Sequence, residues 1–180
     1  MNEDDQHHDG NGSTGLSGGR NFAEMIDRLG ALVPGYSGYR DRQSSRVDER
    51  EIRSVVSSRL EFCQRLVRTY QVQLLEEEGI ESLSVSSKVD REIGKLVSKW
   101  RTAPSFYTSF MGKQTLKDGH SLNLISIDLE CLNTAEELAV YLEAKEGPNP
   151  PPFEPILSVL KQVDLLFVQR AELLNFGVRE

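Results

Sequence analysis

Cysteine, histidine and tryptophan are all scarce in this 180-residue chain, which has two, three and one of them respectively. Two of the histidines, His7 and His8, sit together in a polar, Gly-rich N-terminal stretch, leaving only His120, Cys63 and Cys131, far apart and without a Cys-x-x-Cys pair. A zinc centre needs three or four such ligands converging. A carboxylate-bridged metal pair in a bundle needs Glu-x-x-His on two helices, and the chain has none. Gly10–Gly19 is Gly-rich but lacks the Gly-Lys-Ser/Thr ending and the preceding strand of a phosphate loop. Long apolar runs are missing too: nothing approaches the roughly 20 residues that cross a bilayer, and no leader-like apolar segment opens the chain. These absences predict no metal, no cofactor and no membrane span, and make a cytoplasmic location the default. They also weigh against an enzyme. Cys63 and Cys131 lie among apolar neighbours, as buried free thiols do, and nothing in the spacing pairs either with His120 as a nucleophile and its base.

With 38% hydrophobic residues the chain can build a core. Met1–Arg20 is acidic and Gly-rich, with Leu16 its sole large apolar residue after Met1, and is expected to be a disordered tail. Residues 21–180 are expected to form one all-α domain, a helical bundle. Asn21 with Glu24 suggests a capping box for a short helix carrying Phe22, Met25, Ile26 and Leu29, which must stop before Pro34. Ser45 with Asp48 suggests a second box, for a long helix to about Glu78 with Ile52, Val56, Leu60, Cys63, Val67, Tyr70 and Leu74 as its core stripe. A third helix is expected from Ser87 with Asp90, burying Val89, Ile93, Leu96, Val97 and Trp100. Residues 105–111 suggest a further aromatic turn, and the Lys117–His120 cluster a loop. Residues 122–132 fit strand and helix alternations equally, with helix or extended chain favoured because a lone strand has no partner. Thr134 with Glu137 suggests a cap for a helix to Lys145. Gly147–Pro152 reads as a stiff spacer, and a last helix carries Ile156, Leu160, Val163, Phe167, Ala171 and Leu174.

The most unusual stretch is Leu32-Val33-Pro34-Gly35-Tyr36-Ser37-Gly38-Tyr39, a tight loop holding two large aromatics. Arg40 follows, and Arg42, Arg46, Arg50 and Arg53 then recur at spacings of 4, 4 and 3, on one face of a helix. Tyrosine and arginine together suit either a protein-contact surface or a clamp on a carboxylate or phosphate. Against both stands a plainer reading: tyrosines packed back on the bundle and arginines paired with Asp41, Asp48, Glu49 and Glu51, since residues 21–53 balance six acids with six bases.

This run, with its Arg- and Asp-rich continuation through Arg53, resembles a group of small uncharacterised bacterial helical proteins whose folded part opens on Pro-Gly-Tyr-x-Gly-Tyr and a charged helix. Gln43-Ser44-Ser45 stands where that group has charged residues. The resemblance implies a bundle and a loop–helix junction of importance, and leaves the function open.

The formal charge of −7 disfavours a nucleic-acid platform. Residues 79–120 nevertheless carry seven bases against four acids, whereas 121–180 carry four against ten, so the basic helix is expected to dock on acidic neighbours. Asp164, at the edge of an apolar face, suggests a partner such as Lys95 or Arg91, and an enzymatic reading would need it beside His120. Taken together, the residues predict a non-enzymatic protein-interaction module. Its partner is another protein or a second copy, contacted through Tyr36, Tyr39, Arg40, Arg42, Arg46, Arg50 and Arg53. The alternative is a binder of an anionic ligand, phosphorylated or nucleic acid, through Arg42, Arg46, Arg50 and Arg53 or through the Lys88–Arg101 helix.

Overall fold

The computed structural model describes residues 15–103, 118–144 and 151–176. Five α-helices account for nearly all of them: α1 (Gly15–Leu32), α2 (Arg42–Glu77), α3 (Leu83–Thr102), α4 (Asp118–Glu143) and α5 (Glu154–Phe176), with a 3-10 turn at Ile80–Ser82. No strand occurs among the described residues. The chain is an all-α bundle. Neighbours run α2–α3–α5–α4 and back to α2, which makes a four-helix ring, and α1 lies against α4 from outside. Helices α2 and α5 therefore face each other across a diagonal. Residues 1–14, which include most of the expected tail, lie outside the described residues, as do the expected aromatic turn at 105–111 and most of the proline spacer.

The core stripes follow the helical periodicity. Ile52, Val56, Leu60, Cys63, Val67, Tyr70 and Leu74 are all buried along α2, and Val89, Ile93, Leu96, Val97 and Trp100 along α3. The helix starts differ from the expected boxes. Helix α1 begins upstream of Asn21, at Gly15. The box of α2 is Asp41 with Ser44, not Ser45 with Asp48: the Asp41 carboxylate accepts from the amides of Gln43 and Ser44, which hold it below the usual carboxylate range. Ser87 falls inside α3, which starts directly from the 3-10 turn. Thr134 is buried within α4, and the 122–132 segment takes the helical of its two favoured readings. The same helix begins at Asp118, so residues 118–120, expected in a loop, are helical, and Lys117 lies outside the described residues. The reason is position. Helix α4 touches α1, α2 and α5 and buries a broad arc that includes Leu124, Ile125, Asp128, Leu129, Cys131, Leu132 and Ala135, which leaves a narrow exposed stripe and a weak amphipathic signal.

Helices α2 and α3 form a hairpin around Gly79, whose φ of 84° ends α2. Arg68 pairs with Asp90 at 2.7 Å, and Gln64 donates to the Asp90 carbonyl. Opposite it, Trp100 of α3 meets the Phe167 ring of α5 edge-on at 5.1 Å. On α4, Tyr70 of α2 donates its hydroxyl to the Leu142 carbonyl at 2.7 Å.

Between α1 and α2 the backbone makes a tight corner with Gly35 at φ 84° and Gly38 at φ 80°. A Cβ on Gly38 would stand 2.8 Å from the tip of Ile26, whereas one on Gly35 would meet nothing. Gly35→Ala is expected to cost about 1 kcal/mol through backbone strain alone, and Gly38→Ala about 2 kcal/mol because Ile26 must also move. Urea unfolding of both variants measures the difference.

Candidate functional site

The corner between α1 and α2 is held by a side chain from the second turn of α2. Asp48, 1% exposed, turns its carboxylate back on the loop and accepts three hydrogen bonds of 2.8 Å, from the Ser37 amide, the Ser37 hydroxyl and the Tyr39 amide. It thereby satisfies two loop amides that have no helical partner. Tyr39 takes a left-handed backbone, φ 59°, unusual for a non-glycine residue, and this sends its ring inward. Tyr36 packs against it edge to face, with ring centres 5.8 Å apart.

Inside, Tyr39 reaches a buried ionic cluster. Its hydroxyl donates to Asp128 of α4 and accepts from Arg170 of α5 at 3.1 Å. Arg170 gives its Nε to the other Asp128 oxygen at 2.6 Å and stands 3.4 Å from Glu49 of α2 across the bundle diagonal. Glu49 is also gripped by Arg53 one turn on, at 2.7 and 3.0 Å, and Arg53 reaches the Ala103 carbonyl at the end of α3. Two guanidinium groups thus face two carboxylates. Asp128, Glu49 and Arg170 are 0, 1 and 2% exposed, and taking each charge out of water costs several kcal/mol that only close pairing offsets. Burial pushes the Asp128 carboxyl up against the opposing pull of Arg170. Burial works against the Arg170 charge, yet Asp128, Tyr39 and Glu49 hold its proton well above the ordinary range. Burial and then the Asp128 charge drive the Tyr39 hydroxyl well above its usual value. The Trp100 ring lies 6.0 Å from the Arg170 guanidinium carbon, and its Nε1 finds no acceptor among the described residues.

These positions correct the sequence expectation at the tyrosines. Tyr36 and Tyr39 are 8 and 3% exposed and belong to the interior, because the loop is short and Asp48 folds it inward. Arg53 also turns in, to Glu49. Arg40, Arg46 and Arg50 stay exposed, with Arg50 3.4 Å from Glu51; the Arg42 side chain lies outside the described residues. Pairing by residues 48 and 49 follows a different plan from the expected surface ion pairs: Asp48 serves the loop, and Glu49 serves Arg53 and Arg170. Asp164 pairs with Lys99 in place of Lys95 or Arg91, and the His120 side chain lies outside the described residues. Sequence reasoning missed Asp128 and Arg170. Their signal was available, since each is a lone charge on an otherwise apolar helix face.

Outside the corner, Gly35, Ser37, Asp41, Gln43, Ser44, Val47 and Asp48 line a shallow depression of about 310 Å³. Both cysteines are buried, and burial raises the Cys63 thiol to about 12 and that of Cys131 further, which keeps them protonated and poor nucleophiles at neutral pH. Among the described residues no group of three His, Cys, Asp or Glu could hold a metal ion.

Replacing Arg170 by Met leaves the buried Asp128 carboxylate without a cation, while Glu49 keeps Arg53, and is expected to cost about 3–5 kcal/mol in denaturant unfolding. Tyr39→Phe removes two hydrogen bonds, one donated to Asp128 and one accepted from Arg170, and is expected to cost about 3 kcal/mol at neutral pH. The same variant carries a pH signature. Above pH 10.0, the ordinary tyrosine value, the unfolded chain loses the Tyr39 proton while the folded chain keeps it. That contribution is therefore intact below pH 10 and falls by about 1.4 kcal/mol per pH unit above it. Stability of Tyr39→Phe is expected to decline less steeply than wild type in that range.

No protein-family model matches this chain, and neither a curated protein nor a solved structure matches it.

Proposed function

We propose that this chain is a non-enzymatic protein-interaction module that contacts its partner through the outer face of the α1–α2 corner. The observation that carries this reading is the rigidity imposed on so short a loop. A non-glycine residue in the left-handed region costs about 1–3 kcal/mol and persists only where its surroundings enforce it. Here Asp48 and the Tyr39–Asp128–Arg170 cluster do so. A loop held in one conformation binds without an ordering cost, and loops on rigid scaffolds are where recognition concentrates.

The face so fixed holds the depression beside Val47, which is 38% exposed, and the loop and first turns of α2 that frame it also carry the exposed Arg40, Arg46 and Arg50. Arginine beside an exposed aliphatic suits a protein contact. The inward turn of Arg53 onto Glu49 breaks the four-arginine stripe, which favours protein contact over the anionic-ligand alternative. The motif resemblance, which points to the same junction, agrees.

The test is an affinity capture from native lysate with mass-spectrometric readout. Wild type runs beside Arg40→Glu/Arg46→Glu/Arg50→Glu, with unchanged circular dichroism and melting required of the variant. A partner retained by wild type and lost by the variant is the expected result. Equal recovery by both proteins, or none by either, overturns it.

A further inference from the structure

Two other surfaces of this molecule are complementary to each other. The first is the corner that joins α2 to α3. Val72, Leu75 and Ile80 are 57, 48 and 75% exposed there, and Glu76, Glu77, Glu78 and Glu81 stand exposed among them. Such a cluster is unfavourable to the chain on its own. The C-terminal end of a helix carries a partial negative charge that favours bases, and the last turn of α2 has none. Exposed aliphatics beside three consecutive carboxylates at that end form a surface that a cationic, apolar counterpart would stabilise.

The second surface is a groove of about 580 Å³ between α3 and α5. Its floor is Leu96, Leu157 and Leu160, and its walls carry Lys88, Lys95, Lys99 and Lys161 against Glu92 and Asp164. Four lysines against two carboxylates leave +2 here, in a chain whose formal charge is −7. Lys95 is paired with Glu92, and Lys99 with Asp164. Lys88 and Lys161 are exposed and have no acid partner among the described residues. The groove thus offers apolar floor and unspent positive charge, where the corner offers apolar tip and unspent negative charge.

We infer that a second copy of this chain occupies the groove, placing its Ile80 corner over Leu157 and its glutamates against Lys88 and Lys161. Both halves of the match lie on one chain. They also lie close together, since Lys88 falls in the first two turns of α3, directly after the 3-10 turn that holds Ile80. A two-fold arrangement therefore lets each copy's corner enter the other's groove at once, a closed and self-complementary contact. This surface is separate from the α1–α2 corner, so the two readings stand or fall independently.

The test is light scattering after gel filtration of the full chain at about 100 µM, where a micromolar contact is well populated. Wild type is expected near twice its 20.3 kDa mass at about 50 mM salt, and to approach the monomer at about 500 mM as screening grows. Two charge reversals probe the match: Lys88→Glu/Lys161→Glu in the groove and Glu76→Lys/Glu77→Lys/Glu78→Lys on the corner. Each alone is expected to be monomeric with unchanged circular dichroism, because like charges then meet. Mixed one to one, they are expected to recover the dimer, because the basic corner of one fits the acidic groove of the other. Wild type that stays at 20.3 kDa in low salt overturns the inference, as does a mixture that stays monomeric or a groove variant that still dimerises. Monomeric wild type that binds a Glu- and Leu-rich helical peptide would give the groove to a different protein.

Discussion

Arg170 is the group on which the arrangement depends. It lies fully inside the bundle, and its five N–H donors address Asp128 on α4, the Tyr39 hydroxyl of the loop, and Glu49 on α2. Helices α2 and α5 do not neighbour each other in the ring, so this guanidinium is what ties them across the diagonal. A leucine in its place would fill space in many registers. A buried guanidinium tolerates one, because each misplaced partner leaves a charge unpaired in a poorly polarisable interior. The cluster is costly in desolvation and selects a single packing of helices whose apolar stripes are otherwise much alike.

The loop is where that selection reaches the surface. Tyr39 transmits the position of α4 and α5 to the backbone of the α1–α2 corner, and Asp48 fixes the same backbone from α2. The corner's shape is thus set by three helices at once, unlike an exposed turn, whose shape depends on its own residues. That difference is why a nine-residue connection with two positive-φ glycines and a positive-φ tyrosine can be rigid.

Much of the fold was legible in the chain, for reasons that also mark where legibility stops. Periodicity located α2, α3 and α5, because each buries one stripe and exposes the rest. It left 122–132 undecided because α4 is covered by three helices, and its exposed stripe through Ser126, Glu130 and Glu137 is too narrow to give a strong period. Capping pairs misplaced the helix starts, since Ser-x-x-Asp and Thr-x-x-Glu also arise inside helices, and only the neighbouring chain decides which residue is first. The site was half legible. The glycine–tyrosine run and the arginine stripe drew attention to the junction where the loop meets the buried cluster. The inward direction of Tyr39 depends on Asp128 and Arg170, 89 and 131 positions away, and no local pattern encodes a partner so distant, whereas Arg53 turns in to Glu49 one helical turn before it.

Those separations bear on the order in which the molecule can assemble. Arg68 finds Asp90 across 22 residues, whereas the members of the cluster are 42, 89, 121 and 131 residues apart. Closing a longer loop loses more chain entropy, and a partly formed cluster holds bare charge in an apolar setting. The α2–α3 hairpin can therefore form by itself, while Tyr39 and Arg170 have nothing to gain until α2, α4 and α5 are all in place. Loop entropy and bare charge thus both work against closing the polar lock before the apolar packing of α2, α4 and α5 is in place.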